Sequence, residues 1–331
     1  MKYIRTAKFA FLFVLLVSFL QTGCKRNPEE PIFEDDTLEP LYFDHLAWHP
    51  AGEWIAVEHG DSVDSDKDGK LDAYFGGIWL VDAQTGKTQH LLRGFTLPAW
   101  SPDGKRLALV RGAQIYTIDV ISLEPARVDS SSLRQLTFEG RNFFPAWSPD
   151  GRWIAYDNTI CGSAVEPPPP NSCGVLVMNK DDLNQRLVTR GRFPDWPSDG
   201  NHLLYVGLHN EIYTINIYDT SQVAKLTSLN QAYIYETDNR YPKYSSDGAK
   251  IAFYSQPRVG PPALWLMNND GFNIHKISPD YAQQFDWSPD GQHIAFIFWN
   301  FFEAVPGNGQ IWLIKADGTE LKQLTFFQRR G

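Results

Sequence analysis

The sequence predicts an all-β protein, a six-bladed β-propeller of four-stranded antiparallel blades, and three observations carry that reading. First, a short unit recurs along the 331 residues: an apolar run ending in Trp, a Ser-Pro-Asp-Gly turn, and a second apolar run. Its clearest copies are Pro98–Gly104, Pro145–Gly151 and Phe285–Gly291, and worn copies start at Trp48, Trp196 and Tyr244. Second, the anchors at 48, 100, 147, 196, 244 and 287 lie 43 to 52 residues apart, a period suited to one propeller blade. Third, β-branched and aromatic runs dominate, and no stretch after residue 25 carries a convincing helical period.

Taken in order, the chain opens with an address. Lys2, Arg5 and Lys8 precede an apolar run of 12 residues, Phe9 to Leu20. That is too short to span a bilayer and suits a signal peptide over residues 1–23. The run ends in Gln21-Thr22-Gly23-Cys24, which resembles a bacterial lipobox, with Leu20 one position early. Lipidation of Cys24 is the expectation and an ordinary secretory signal the alternative; Lys25 after the cysteine points to the outer membrane by analogy. Residues 24–40 are rich in Pro, Glu and Asp and read as a disordered tether. Extended, it reaches roughly 50 Å. Residues 41–331 form the propeller.

Within each blade the turn has a mechanical logic. Pro presets φ, Asp bonds nearby amides and Gly takes the left-handed conformation, so the five repeated Asp residues are structural. Third strands are expected at Ile78–Val81, Ile115–Ile118, Val175–Met178, Ile212–Ile215, Leu264–Met267 and Ile311–Ile314. Fourth strands end in Gln135-Leu136-Thr137, Lys225-Leu226-Thr227, Lys276-Ile277-Ser278 and Gln323-Leu324-Thr325. The copies run in phase with the chain, so no strand exchange closes the ring. Residues 37 to 45 are a candidate clasp; packing between blades one and six is the other route.

This combination of P-x-W-S-P-D-G, I-A-F, I-W and L-T resembles the TolB-type propeller family over about residues 41 to 327. The resemblance is specific for the fold and implies little about activity, because one superfold hosts many functions. TolB itself carries an α/β domain before its propeller. Only about 16 residues separate Cys24 from the first blade here, so that domain is expected to be absent and the role in the Tol–Pal system does not carry over.

Several insertions carry candidate chemistry. In blade one, Asp64, Asp66, Asp68, Lys70 and Asp72 match the first nine positions of an EF-hand-type calcium loop, with Gly69 at the sharp turn. Phe75 replaces the bidentate Glu, and Asp61 is a candidate to complete the shell. Structural Ca²⁺ is expected there; a solvated acidic loop is the alternative. In blade three, Cys161 and Cys173 bracket a Pro-rich loop and are expected to form a disulfide worth roughly 3 kcal/mol. Two free thiols or a metal pair are the alternatives. In blade six, Phe298, Trp299, Phe301 and Phe302 cluster; they either pack on their own blade or mark a partner site together with Tyr233 and Tyr235. In an up-and-down blade these insertions share the face of the inter-blade connections. That elaborated face is therefore expected to bind.

Formal charge is −9, and −12 once the signal is removed, which repels phosphates and excludes nucleic acid as a partner. There is no H-E-x-x-H, no G-x-S-x-G and no phosphate-binding Gly-rich loop. The eight histidines are scattered, with structural or surface roles. The expectation is thus a monomeric, exported, lipid-anchored propeller that acts as a non-catalytic protein-binding or scaffold module in the bacterial envelope. The alternative is a propeller enzyme, a glycan hydrolase or lyase, with a central-funnel site. Asp, Glu, His or Arg crowding the channel mouth would favour the enzyme.

Overall fold

A computed structural model describes residues 43–63, 73–159, 174–181, 183–227, 238–257, 259–299 and 309–326. Their strands form six antiparallel sheets, each of four consecutive strands. Blade 1 holds β1 (Phe43–Trp48), β2 (Trp54–Val63), β3 (Ala73–Asp82) and β4 (Thr88–Arg93). Blade 2 holds β5 (Thr96–Trp100), β6 (Arg106–Arg111), β7 (Gln114–Leu123) and β8 (Ala126–Gln135). Blade 3 holds β9 (Asn142–Trp147), β10 (Trp153–Asn158), β11 (Gly174–Asn179) and β12 (Gln185–Thr189). Blade 4 holds β13 (Arg192–Asp195), β14 (His202–Val206), β15 (Ile212–Asn216) and β16 (Val223–Lys225). Blade 5 holds β17 (Asp238–Tyr244), β18 (Lys250–Gln256), β19 (Ala263–Asn268) and β20 (His275–Lys276). Blade 6 holds β21 (Ala282–Trp287), β22 (His293–Phe298), β23 (Gln310–Lys315) and β24 (Lys322–Gln323). The first strands neighbour one another around the axis, and all six blades belong to one unit, Glu39–Gly331.

Second and third strands read as nearly continuous apolar runs because both faces of a blade are buried. On β6, Leu107 and Leu109 pack toward blade 1, while Ala108 and Val110 pack toward blade 3. The same alternation yields six apolar layers, each lying between two adjacent blades. The small residue of the I-A-F motif faces the following blade and shares its layer with that blade's anchor: Ala56 with Trp100, Ala155 with Trp196 and Ala252 with Trp287. Two anchors also donate their indole N–H across the seam, Trp196 to the Ala146 carbonyl (3.0 Å) and Trp287 to the Lys243 carbonyl (3.2 Å).

The repeated turn works as its residues predict. Ser148 Oγ donates to Asp150 Oδ1 (2.6 Å) and accepts from Trp153 N–H (2.9 Å), while Asp150 Oδ1 accepts from Arg152 N–H (3.0 Å). Ser101, Ser245 and Ser288 repeat the pattern with Asp103, Asp247 and Asp290. The worn copy at Trp48 compensates differently. His49 replaces Ser, its ring packs edge-on against Trp100 (4.6 Å), and Nε2 lies 3.1 Å from the Gly104 carbonyl. Gly104 has φ +69°, and a Cβ there would stand 2.4 Å from His49 Nε2, so only glycine fits. The L-T ending is a clip: buried Thr137, Thr227 and Thr325 accept the N–H of Ile115, Ile212 and Ile311 at 2.8 to 2.9 Å, and Ser278 does the same for Leu264.

The ring closes without strand exchange among the described residues. Phe43, Leu46, Ile55 and Val57 pack against Ala295, Ile297, Ile311 and Leu324. Two hydrogen bonds join the same blades: Phe43 N–H to the Gly309 carbonyl (3.0 Å) and Trp48 N–H to Asp286 Oδ2 (2.7 Å). Packing between blades 1 and 6 is thus in place; of the candidate clasp at residues 37 to 45, Phe43 joins blade 6, and residues 37 to 42 lie outside the described residues.

If the clip holds the blade edge, Thr137→Val strands a buried amide at a cost of about 1–3 kcal/mol. A drop of several degrees in Tm is expected, whereas Thr319→Val on an exposed turn changes stability by less than about 0.5 kcal/mol. Equal shifts in the two thermal melts would remove the clip's special role.

Candidate functional site: a blind cavity on the propeller axis

Each innermost strand breaks register at the same repeat position, between Asp44 and Leu46, Thr96 and Ala99, Phe143 and Ala146, Arg192 and Asp195, Arg240 and Lys243, and Ala282 and Phe285. Such a bulge re-aims a side chain. In blades 2 to 5 the residue at the bulge is left-handed: Leu97, Phe144, Phe193 and Tyr241 have φ of 52 to 56°. For bulky side chains this is costly, and it persists only where the surroundings over-determine it. Here the surroundings are each other. His45 lies 5.6 Å from Phe144 and 6.0 Å from Tyr241 between ring centroids; Phe193 lies 4.8 Å from Phe144 and 4.4 Å from Tyr241. These residues come from blades 1, 3, 4 and 5, so their rings meet on the axis and plug it.

Above the plug lies a cavity of about 240 Å³, bounded below by these rings with Leu97 and Gln284, and reaching Pro50 in the first turn. It therefore occupies the end of the axis nearest the Ser-Pro-Asp-Gly turns, opposite the elaborated face. The wall is two-sided. Blades 1 to 3 contribute Ala47, Ala99 and Ala146 with Trp48, Trp100 and Trp147. At the alanine position, blades 4 to 6 carry Asp195, Lys243 and Asp286. Lys243 Nζ bonds Asp286 Oδ1 at 2.7 Å, and Asp286 Oδ2 takes the Trp48 N–H that closes the ring. Asp195 Oδ2 accepts Tyr244 N–H (2.9 Å). Burial, together with the Asp286 charge, pushes the Asp195 carboxyl up to about 6, against the opposing pull of Lys243 and the Tyr244 amide.

Below the plug, two carboxylates serve the bulges themselves. Glu58 Oε2 accepts the Leu97 N–H (3.2 Å) and Asp157 Oδ2 the Phe193 N–H (3.2 Å), each across a blade seam. Burial pushes Asp157 up to about 7, while the Phe193 amide and Arg192 pull it down. His45 Nδ1 stands 3.2 Å from Glu58 and 3.3 Å from Asp44. Burial disfavours its charge, yet Asp44 and Glu58 outweigh that and raise it above its ordinary value.

Of the sites expected from sequence, the two described residues, Phe298 and Trp299, do not line this cavity. Phe298 ends β22, is half-buried and packs on its own blade, its ring 6.1 Å from Trp312. Half-buried Trp299 donates its N–H to the Tyr281 carbonyl (3.0 Å). Phe301, Phe302, Tyr233, Tyr235, Cys24, Cys161, Cys173 and the calcium-loop residues Asp64, Asp66, Asp68, Lys70 and Asp72 lie outside the described residues. Among the described residues no group of three or more His, Cys, Asp or Glu converges to hold a metal, and no helix is long and apolar enough to cross a membrane. Sequence reasoning missed Asp195, Lys243 and Asp286. The signal was present in the aligned repeats, where Pro-Ala-Trp becomes Pro-Asp-Trp, Pro-Lys-Tyr and Phe-Asp-Trp.

Six consecutive-strand blades around a plugged axis define a β-propeller with a blind central cavity. The fold is that of the TolB-type six-bladed propellers, as its solved neighbours show. A putative TolB from Agrobacterium tumefaciens superposes with a TM-score of 0.56 at 22% identity, over 72% of this chain and 84% of that one. TolB from Acinetobacter baumannii gives 0.60 at 18% identity, over 85% and 62%. An oligogalacturonate lyase in complex with manganese gives 0.55 at 12% identity, over 87% and 77%. At these identities the likeness establishes the fold. In sequence, the uncharacterized protein Atu1656 of Agrobacterium fabrum is 26% identical over 211 residues, 61% of this chain, and the match spans 65% of its own length. No family model matches the sequence.

Asp157 makes stability depend on pH in a defined direction. Its folded value near 7 lies above that of an unfolded Asp, so between about pH 4 and 7 the folded chain keeps a proton that the unfolded chain has lost. Its contribution is full below that window and falls as pH rises through 7, by at most about 1.4 kcal/mol per pH unit. His59, lowered to about 4 by burial and by His90, acts in the opposite sense, so the informative quantity is the difference between wild type and Asp157→Asn. The variant should gain relative stability from pH 5 to 8 in denaturant titrations. A difference independent of pH would contradict the assignment.

Proposed function

We propose that this protein is a non-catalytic binding module of the bacterial cell envelope, which receives a segment of a partner protein in its axial cavity from the turn face. One observation carries the reading: a floored cavity walled by tryptophan and alanine on one side and by accessible charged groups on the other. Blind, concave and mixed in polarity, it is built to hold a protruding group. The exported, tethered character of the sequence and the likeness to TolB propellers support an envelope setting.

The glycan-enzyme reading draws less support from this geometry. Charged groups do stand at the cavity, as that reading requires. Glycoside hydrolysis, however, uses one carboxyl as acid and a second as base or nucleophile. Both oxygens of Asp286 are engaged, one by Lys243 and the other by the Trp48 amide, which leaves Asp195 without a second available carboxyl beside it.

A photo-crosslinking residue at exposed Ala51, on the turn face, should capture a discrete envelope partner in cells, and Ala146→Trp, which fills the cavity, should abolish the adduct. The same probe at Val259, 89% exposed on the loop face, should give no comparable adduct. Capture from Val259 that survives Ala146→Trp would move binding to the elaborated face.

Calcium at Asp64–Asp72 is part of the same reading, as a pin for a long insertion. Chelation should lower Tm in wild type and leave Asp66→Asn unmoved. An unchanged wild-type melt would remove the ion.

A further inference from the structure

We propose that the axial cavity takes one positively charged side chain, a lysine or arginine of the incoming segment, held by Asp195 against the tryptophan and alanine wall. This rests on the reading that the cavity receives a protein segment, and it specifies which one.

Charge decides the sign. Two carboxylates and one ammonium share the charged half of the wall, and His45 in the floor is matched by Asp44 and Glu58 beneath it, so an entering anion meets net repulsion and a cation net attraction. Lys243 forms its contact ion pair with Asp286, which is further committed to Trp48 N–H. Asp195 differs, since it bonds backbone and has no ion-pair partner within 4.0 Å among the described residues. It lines the cavity and is the carboxylate available to a newcomer.

Chemistry narrows the cation. A metal such as calcium needs six or more oxygens. Among the described residues only two carboxylates face this cavity, and an ammonium already bonds one of them. A cation that brings its own apolar stem fits better. Ala47, Ala99 and Ala146 leave room for methylenes, and indole faces attract ammonium or guanidinium groups. Size agrees, because about 240 Å³ lies below the roughly 300–1,000 Å³ of clefts for drug-sized ligands. The ring plug makes the cavity blind, so a side chain enters tip first and stops.

The test uses the full-length protein and three capped pentapeptides, Ac-Gly-Ala-Lys-Ala-Gly-NH₂ and its Nε-acetyl-lysine and glutamate counterparts, titrated calorimetrically at pH 7.5 and 5.0. The lysine peptide should bind at least ten-fold more tightly than either counterpart. Asp195→Asn should erase that preference. Lys243→Met, which frees Asp286, should strengthen lysine binding several-fold, so the proposal does not hang on one variant. Wild-type affinity should fall several-fold at pH 5.0 while Asp195→Asn changes less; His45 is present in both proteins and cancels in that comparison. Three peptides binding equally, all blocked by Ala146→Trp, would overturn the cationic preference and leave the segment-binding reading intact. Absence of peptide binding where the Ala51 adduct still forms would also overturn it. Loss of both adduct and binding would bring down the two readings together.

Discussion

Every blade of this protein buries both of its faces against neighbours, and that constraint shapes the rest. An isolated four-stranded sheet with apolar residues on both sides has nowhere to put them. Six such sheets in a ring have six interfaces and no outer face left over, provided the last meets the first. Phe43, Leu46, Ile55 and Val57 on blade 1 therefore need Ala295, Ile297, Ile311 and Leu324 on blade 6 as much as any internal pair needs its partner. Asp286 reinforces that seam by taking the Trp48 amide across it. The same carboxylate bonds Lys243, so the closure of the ring and the charge of the cavity share one residue.

On the axis the rule changes. Six first strands line it, and each one breaks register with its own second strand at the same place. The bulges in blades 2 to 5 push Leu97, Phe144, Phe193 and Tyr241 into left-handed conformations. Strain of that kind collects at sites with a purpose. Here it plugs the axis and leaves a blind cavity above. It also releases backbone amides, and carboxylates of the preceding blade take them up: Glu58 for Leu97 and Asp157 for Phe193. Those acids are buried because the amides they serve are buried, which is why Asp157 is held so far above the usual carboxylate range.

The cavity does not lie on the face that loop length singles out. Long insertions interrupt the sequence between second and third strands, yet the cavity lies at the end of the axis nearest the short, uniform turns. A loop advertises itself in a sequence by interrupting a repeat. A cavity made of six single positions, one per blade and about 50 residues apart, does not.

What the sequence alone determined is the architecture: blade number, strands per blade, the turn chemistry of Ser148 and Asp150, and strand runs such as Leu107–Val110. These are local patterns, repeated six times, and each copy confirms the others. The worn turn at His49 and the L-T clip were visible as residues, although their bonds to Gly104 and to the third-strand amides were not. Only the tertiary structure decided the plug, the two-sided cavity and the seam carboxylates. Asp195, Lys243 and Asp286 are separated by 48 and 43 residues in the chain and become neighbours because ring closure and a shared bulge bring one repeat position to the axis. Periodicity can list such positions, but closure in three dimensions decides that they face one another.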